Sequence, residues 1–393
     1  MKNDFLKYQG QTTPHPLAIE ITYANGSYIY DNTGKAYLDF VAGVSANSLG
    51  HNNSIVNNAI KEQLDQYSHV MVYGEFIQKP QLELCKTLVS TLPDDSYSVY
   101  LVNSGTEATE GALKLAKRFT GRSEIIAAKN AYHGNTMGSM SVCGAEPQNS
   151  AFRPLVPGVK FIEFNNEDHL LDITQNTAGV ILETIQGGAG FIEPKNDYLK
   201  KIKQRCEEVG ALLILDEIQS GIGRTGKFWG FENYNMTPDI IITGKGLGGG
   251  IPIGAFIAKH EIMSVLKENP KLGHITTFGG HPVIAASGLA TANEILNSNL
   301  MEESIRKEKI IRELLQNHPE VKEIRGRGLM LSLILESSEK ADTVILDCLD
   351  KGLILFWLLY EKRAVRITPP LTISDEEIKK GCQILTQSLN TIL

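Results

Sequence analysis

Between residues 98 and 258, short apolar runs alternate with stretches of helical spacing, and this alternation constrains the fold more than any other feature. The runs are Ser98–Val102, Glu124–Ala128, Val159–Phe164, Gly179–Glu183, Leu212–Asp216, Asp239–Thr243 and Ala255–Ala258. Short apolar runs bounded by turn signals read as strands buried on both faces. Strands alternating with helices predict an α/β fold: a mostly parallel sheet with helices on both sides.

Two of these runs are followed at once by ionisable residues. Leu212-Leu213-Ile214-Leu215 carries Asp216 at its end, and Asp239-Ile240-Ile241-Ile242-Thr243-Gly244 delivers Lys245 into the glycine-rich turn Gly246–Gly250. Open α/β sheets bind ligands at the carboxyl ends of their strands. An acid and a lysine brought there suit pyridoxal phosphate: the lysine forms a Schiff base and the acid pairs with the protonated pyridine nitrogen. The plain alternative is a buried Asp–Lys ion pair that only ties two strands together.

Other stretches point to the same edge. In Val102-Asn103-Ser104-Gly105-Thr106-Glu107-Ala108, a strand opens into a helix, and Ser104 and Glu107 have capping-box spacing. Free amide hydrogens, hydroxyls and the positive helix end make an anion site, although an ordinary capped helix reads the same way. Ala131-Tyr132-His133-Gly134 follows another strand, where Tyr132 can stack on a planar ring and His133 can hydrogen-bond. Ala364-Val365-Arg366-Ile367-Thr368-Pro369-Pro370 sets an arginine in a strand before a rigid turn. An arginine can clamp a carboxylate with two parallel bonds, but a surface arginine on an edge strand fits equally. Gly221-Ile222-Gly223-Arg224-Thr225-Gly226 imitates a dinucleotide fingerprint. No helix start follows it and no acid ends the next strand, so it reads as a loop.

Composition limits the function. A net charge of −7 with no long basic run disfavours nucleic acid and anionic membranes. No apolar run reaches the roughly 18–20 residues of a membrane helix, and the first residues show no signal-peptide core. Cys85, Cys143, Cys206, Cys348 and Cys382 are odd in number with no Cys-x-x-Cys spacing. They suit reduced thiols in a cytoplasm, with neither a disulfide frame nor a metal site.

The flanks differ from the centre. Residues 15–40 alternate short strand patterns with the turns Asn25-Gly26 and Asn32-Thr33-Gly34, predicting a small antiparallel sheet. Helical spacing resumes from about residue 53. After residue 287 come two helical stretches broken near Asn297–Asn299, paired strands over 321–333, a helix over Lys340–Lys351, strands near Leu353–Trp357 and Ala364–Ile367, and a helix from Ser374. The expected division is an N-terminal segment (1–50), a large domain (51–290) and a small α+β domain (291–393) that takes in the N-terminal segment.

Together these residues resemble the class III (ω-) aminotransferases among the fold type I pyridoxal-phosphate enzymes, and the resemblance spans nearly the whole chain. Its centre is Leu215-Asp216-Glu217-Ile218-Gln219-Ser220-Gly221 and Gly223-Arg224-Thr225-Gly226, followed by Lys245 and by Gly279-Gly280 after a threonine pair. The nearest members are the acetylornithine and ornithine aminotransferases. The resemblance implies that Lys245 carries the cofactor and shuttles a proton, and that Asp216 keeps the pyridine nitrogen protonated. It implies that Gly105 and Thr106 bind the phosphate with Ser104 beside them, that Tyr132 stacks on the ring, and that Gln219 bonds the phenolic oxygen. His133 and Glu183 complete the cofactor-binding set. The resemblance further implies that Thr277 reaches the phosphate of a neighbouring subunit, so that the site needs a dimer, and that Arg366 takes the substrate's α-carboxylate.

Some positions depart from the family pattern. Asn135 stands where relatives carry arginine, and Gly188 where they carry a glutamate that screens the arginine matched by Arg366. Thr184 replaces a proline, and Val44 a tyrosine. The resemblance therefore implies transfer of an amino group from an amino acid or ω-amine to 2-oxoglutarate or pyruvate, and leaves the donor open. A racemase, aminomutase or decarboxylase on the same scaffold is the rival enzyme class. A non-catalytic binding protein would not need Lys245, Asp216, Gln219 and Thr277 together.

Overall fold

Three N-terminal strands, β1 (Ile21–Asn25), β2 (Tyr28–Asp31) and β3 (Ala36–Asp39), form an antiparallel meander in the computed structural model, which describes residues 1–393. The centre of the chain supplies β4 (Tyr97–Val102), β5 (Glu124–Ala128), β6 (Val159–Ile162), β7 (Thr177–Glu183), β8 (Leu212–Asp216), β9 (Ile240–Gly244) and β10 (Gly254–Lys259). They make one sheet in the order β4-β10-β9-β8-β7-β5-β6. All neighbours are parallel except β10, which runs against both β4 and β9.

The central strands β7, β8 and β9 are buried on both faces, while the edge strand β6 exposes Lys160 and Phe161, and strand alternation divides the side chains between the two faces. In β8, Ile214 packs in a cluster with Ala108, Ala112 and Ala116 of the helix Gly105–Thr120. Leu213 and Leu215 point the other way, in a cluster with Leu199, Ile202 and Cys206 of the helix Tyr198–Val209. A period of two along the strand thus serves two helical layers. Each fully buried isoleucine of β9 contributes about 1.5–3 kcal/mol of burial free energy.

The C-terminal hundred residues supply β11 (Glu323–Arg327), β12 (Met330–Ile334), β13 (Leu353–Ile354), β14 (Phe356–Trp357) and β15 (Ala364–Ile367). β11, β12, β15 and β14 form a second antiparallel sheet in that order. β13 instead joins β3 in parallel, with Leu353 opposite Leu38. One sheet is therefore built from both ends of the chain. β15 lies inside its sheet, so Arg366 is buried rather than on an edge. The Gly221–Gly226 stretch is a run of turns with no α-helix after it, as expected of a loop. The helix Lys2–Tyr8 carries no strong sequence signal and buries none of its residues.

Candidate active site

The carboxyl ends of β4, β7, β8 and β9 meet at one edge. Glu183 pairs in register with Asp216, Asp216 with Ile242, and Gly254 with both Gly244 and Val102. A cavity of about 440 Å³ opens there. Arg366, Phe356, Trp357 and Leu359 close it from the C-terminal sheet and the loop beyond β14.

Asp216 and Lys245 both line the cavity but form no ion pair with each other. The Asp216 carboxylate accepts from Ile218 N at 2.9 Å and pairs through its other oxygen with His133 Nδ1 at 2.8 Å. Lys245 Nζ has no carboxylate within 4.0 Å. Burial pushes its amine below the ordinary lysine range, against the pull of Asp216 and Glu183. A lysine placed only to tie two strands would be held by its acid. This one is left with its amine free, on a left-handed backbone (φ 41) just beyond β9. The ion-pair alternative is thereby excluded.

Glu183 closes the turn after β7. One oxygen accepts from Gly187 N at 2.9 Å and the other from Tyr132 N at 3.1 Å. Burial raises its pKa to about 7. Glu217 points away from the cavity and accepts from Thr184 Oγ1 (2.5 Å), Gly230 N (2.7 Å), Phe231 N (2.9 Å) and Ser220 Oγ (3.1 Å). The Thr184 hydroxyl thus makes a bond to Glu217 that a proline could not.

The helix Gly105–Thr120 starts at the cavity. Ser104 Oγ caps it by accepting from Glu107 N at 3.3 Å, and Ser104 itself does not line the cavity. The capping box is half formed, because Glu107 accepts from Asn103 N and Nδ2 (2.7 and 2.9 Å) and not from Ser104 N. Thr106 Oγ1 bonds Ser139 Oγ (2.7 Å) and accepts from Asn135 N (3.1 Å), which draws the Tyr132–Asn135 turn over the helix start. Gly134 is required in that turn: its φ is +133, and a Cβ there would lie 2.4 Å from Thr106 Oγ1.

On the opposite wall the Arg366 guanidinium lies over the Phe191 ring, with Nε and one terminal nitrogen buried and unpartnered. Burial lowers its pKa to about 10. Gln219 lines the floor, and its amide contacts Ser45 Oγ at 3.4 Å. Ser45 ends a left-handed stretch with Ala42 (φ 51), Gly43 (φ 60) and Val44 (φ 62). Such residues each cost about 1–3 kcal/mol when not glycine, so something must hold them. Asp39 does, accepting from Val41 N (2.8 Å) and Ala42 N (2.9 Å) while His51 Nε2 fixes its other oxygen at 2.7 Å. Thr277 is exposed on the loop before Gly279 and takes no part in this chain's own cavity.

Sequence reasoning missed the Asp39–His51 support and the wall formed by Ile185, Phe356, Trp357 and Leu359. Phe356 faces Arg366 only through the β14–β15 pairing, a contact no local pattern announces.

A family model described as aminotransferase class-III matches residues 9–389. The chain belongs to the class III aminotransferases. It is 38% identical over 387 residues to an acetylornithine aminotransferase of Caldanaerobacter subterraneus, covering 95% of each protein. It is 36% identical to a [LysW]-aminoadipate semialdehyde/glutamate semialdehyde transaminase of Sulfolobus acidocaldarius, covering 94% of this chain and 95% of that one. Among solved structures, an ornithine aminotransferase of Toxoplasma gondii superposes with a TM-score of 0.90 at 29% identity, covering 100% of this chain and 95% of the other. An aminotransferase of Bacillus anthracis gives 0.92 at 28% identity, covering 99% and 97%. The fold is therefore that of the fold type I pyridoxal-phosphate enzymes, and the protein is a pyridoxal-phosphate-dependent aminotransferase.

The residues of this aminotransferase fit the cofactor. A half-buried lysine amine without a partner shares the cavity with a carboxylate fixed by His133, and a helix start with the Thr106 hydroxyl opens on the same cavity. His133 Nε2 is buried and unpaired, so a polar group at this edge has a further partner waiting. No helix is long and apolar enough to cross a membrane.

Proposed function

We propose that this aminotransferase runs a two-step exchange, from an amino acid or ω-amine to the cofactor and then to a 2-oxo acid such as pyruvate or 2-oxoglutarate. The Lys245 amine, which faces the cavity with no carboxylate to hold it, is the observation that carries it. Bound pyridoxal phosphate supplies an electron sink for the carbon that bears the amino group. Lys245 Nζ holds the cofactor between turnovers, then takes and returns the proton at that carbon. Desolvation shifts its equilibrium toward the neutral, nucleophilic form.

Asp216 partners the pyridine nitrogen, oriented by His133 and Ile218 N. Gly105 and Thr106 hold the phosphate at the helix start, where amide hydrogens and the helix dipole favour an anion, and Ser104 shapes that start as its cap. Tyr132 covers the ring, Gln219 takes the phenolic oxygen, and Glu183 fixes the Tyr132 turn. Arg366 binds the carboxylate of the amino or 2-oxo acid through a two-pronged contact.

The working unit is a homodimer in which Thr277 reaches the partner's phosphate. Exposed apolar side chains concentrated in the segment 70–77, with Ile77 92% exposed in the single chain, and Phe278 beside His69 support this. The chain divides into a large domain (51–290) and a small domain built from 1–50 and 291–393, in keeping with the β3–β13 pairing. Five unpaired cysteines suit a cytoplasmic enzyme.

The test follows nitrogen. Purified protein is given ¹⁵N-labelled acetylornithine, ornithine, lysine, 4-aminobutyrate or alanine, with and without a 2-oxo acid. Label appearing in the amino acid made from the 2-oxo acid supports the proposal. Donor consumption that ignores the 2-oxo acid would point to a racemase or decarboxylase instead.

A further inference from the structure

The charged side chains lining the cavity are Lys245, Arg366, Asp216 and Glu183, with His133 paired to Asp216. If the exchange proposed above is right, Lys245 is committed to the cofactor and Thr106 to its phosphate. Arg366 is then the one cation left for a substrate, against two acids and a phosphate. The rest of the substrate side is uncharged. Phe356, Trp357, Leu359, Val44 and Ile185 line it, and Asn135 stands near its mouth.

This wall is held in place. Gly188 O accepts from Tyr360 N at 2.9 Å and Glu361 N at 3.2 Å, which pins the loop after β14 to the Gly187–Gly190 turn. The Tyr360 ring fills the space a side chain at 188 would need, because a Cβ there would lie 2.8 Å from Tyr360 Cδ2 and 2.9 Å from Cε2. Trp357 is anchored by its indole N–H, which donates to Asp342 at 2.6 Å. Neither an acid nor a base can be presented from position 188 while Tyr360 stays where it is.

We infer that the substrate side of the cavity is built for molecules bearing one carboxylate on an otherwise apolar chain, so that the 2-oxo acid consumed is a monocarboxylate. A second carboxylate has no cation in this chain to meet. It would lie against an aromatic and aliphatic wall whose Phe356 and Leu359 are exposed in the single chain, and a charge that loses hydration to such a wall without gaining a partner is disfavoured. Tyr360 contributes by position, its ring filling the space beside Gly188.

Two inert acids of equal length provide a probe that does not depend on turnover. Valerate and glutarate differ only in a terminal methyl against a terminal carboxylate. Their binding to the pyridoxal-phosphate-loaded enzyme is measured by calorimetry, and the rates of pyruvate and 2-oxoglutarate with enzyme loaded with pyridoxamine phosphate are measured alongside. Valerate is expected to bind about 10-fold or more tightly than glutarate, and pyruvate to exceed 2-oxoglutarate in kcat/KM by a similar factor, since specificity is a difference of affinities. Asn135→Arg, which adds a cation near the mouth, should shift both ratios toward the dicarboxylate. Equal or tighter glutarate binding in the wild type overturns the inference and leaves the aminotransferase reading intact. Failure of both 2-oxo acids to react overturns the two together.

Discussion

Lys245 sits just past a fully buried strand, with a left-handed backbone and an amine that no carboxylate holds. Positioned proton transfer contributes about 10²–10⁴-fold to rate. Lys245→Ala should therefore lower turnover by roughly 10³-fold or more, and it should abolish the visible absorbance of the lysine-bound cofactor. Turnover close to wild type would remove the lysine from the mechanism. Arg366→Lys keeps the charge but loses the planar fork. A hydrogen bond to a charged group is worth about 1.5–3 kcal/mol, so KM for carboxylate substrates should rise roughly 10- to 150-fold with a smaller change in kcat. Steady-state kinetics with the best donor checks this, and an unchanged KM would free Arg366 from substrate binding. Lys245 and Asp216 are legible in the sequence because each ends an apolar run, and burial turns such an end into a delivery point. Arg366 is not legible in isolation. Its burial depends on β15 lying between β12 and β14, and a lone arginine in a four-residue strand says nothing of that.

At the scale of elements, all seven strands of the large sheet are readable, since strands buried on both faces, as the central ones are, need continuous apolar runs. The antiparallel direction of β10 was not, because direction leaves no mark on a run that is apolar throughout. Helix–sheet spacing also hides in the sequence. Gly111 sits mid-helix in Gly105–Thr120, where glycine costs about 1 kcal/mol relative to alanine. The structure shows why it is there: a Cβ at 111 would lie 2.3 Å from Phe256 Cε1, on a fully buried ring of β10. Overpacking a filled core costs about 1–3 kcal/mol and here exceeds the gain in helix propensity. Gly111→Ala should therefore lower stability by about 1–2 kcal/mol in chemical denaturation. A stabilised variant would mean that the sheet yields more easily than its packing suggests. The Ala42–Ser45 stretch is the opposite case. Its strain is unreadable locally because Asp39 and His51, which hold it, lie on either side of it in the chain.

Among the buried carboxyls of the whole molecule, Glu183 and Glu217 have pKa values that burial raises from the ordinary 4.5 to about 7. Between those limits the folded state keeps protons that the unfolded chain has released. Stability from these groups therefore falls as pH rises from about 4.5 to 7 and levels off above it. Each shift corresponds to about 3 kcal/mol across the window. Glu217→Gln removes the titration and keeps one acceptor oxygen, which can serve either Gly230 N or Phe231 N but not both; it should flatten the pH dependence of the denaturation midpoint over this range by about half. An unchanged slope would mean that the four donors around Glu217 hold it ionised. Assembly is a property of the same scale. The apolar surface around Phe76 and Ile77 leaves no local signature, because scattered apolar residues read alike whether they face a partner or a core.

The central claim is that this cavity moves an amino group through its cofactor in two separable steps. The most direct measurement is one half-reaction at a time: holoenzyme mixed with a single donor and no 2-oxo acid, with the cofactor's visible absorbance recorded, and pyruvate then added. The expected result is loss of that absorbance in proportion to active sites, with one equivalent of oxo product, followed by its return as one equivalent of alanine forms. Loaded cofactor whose absorbance no donor depletes, or a donor consumed with no oxo product formed, would contradict the claim.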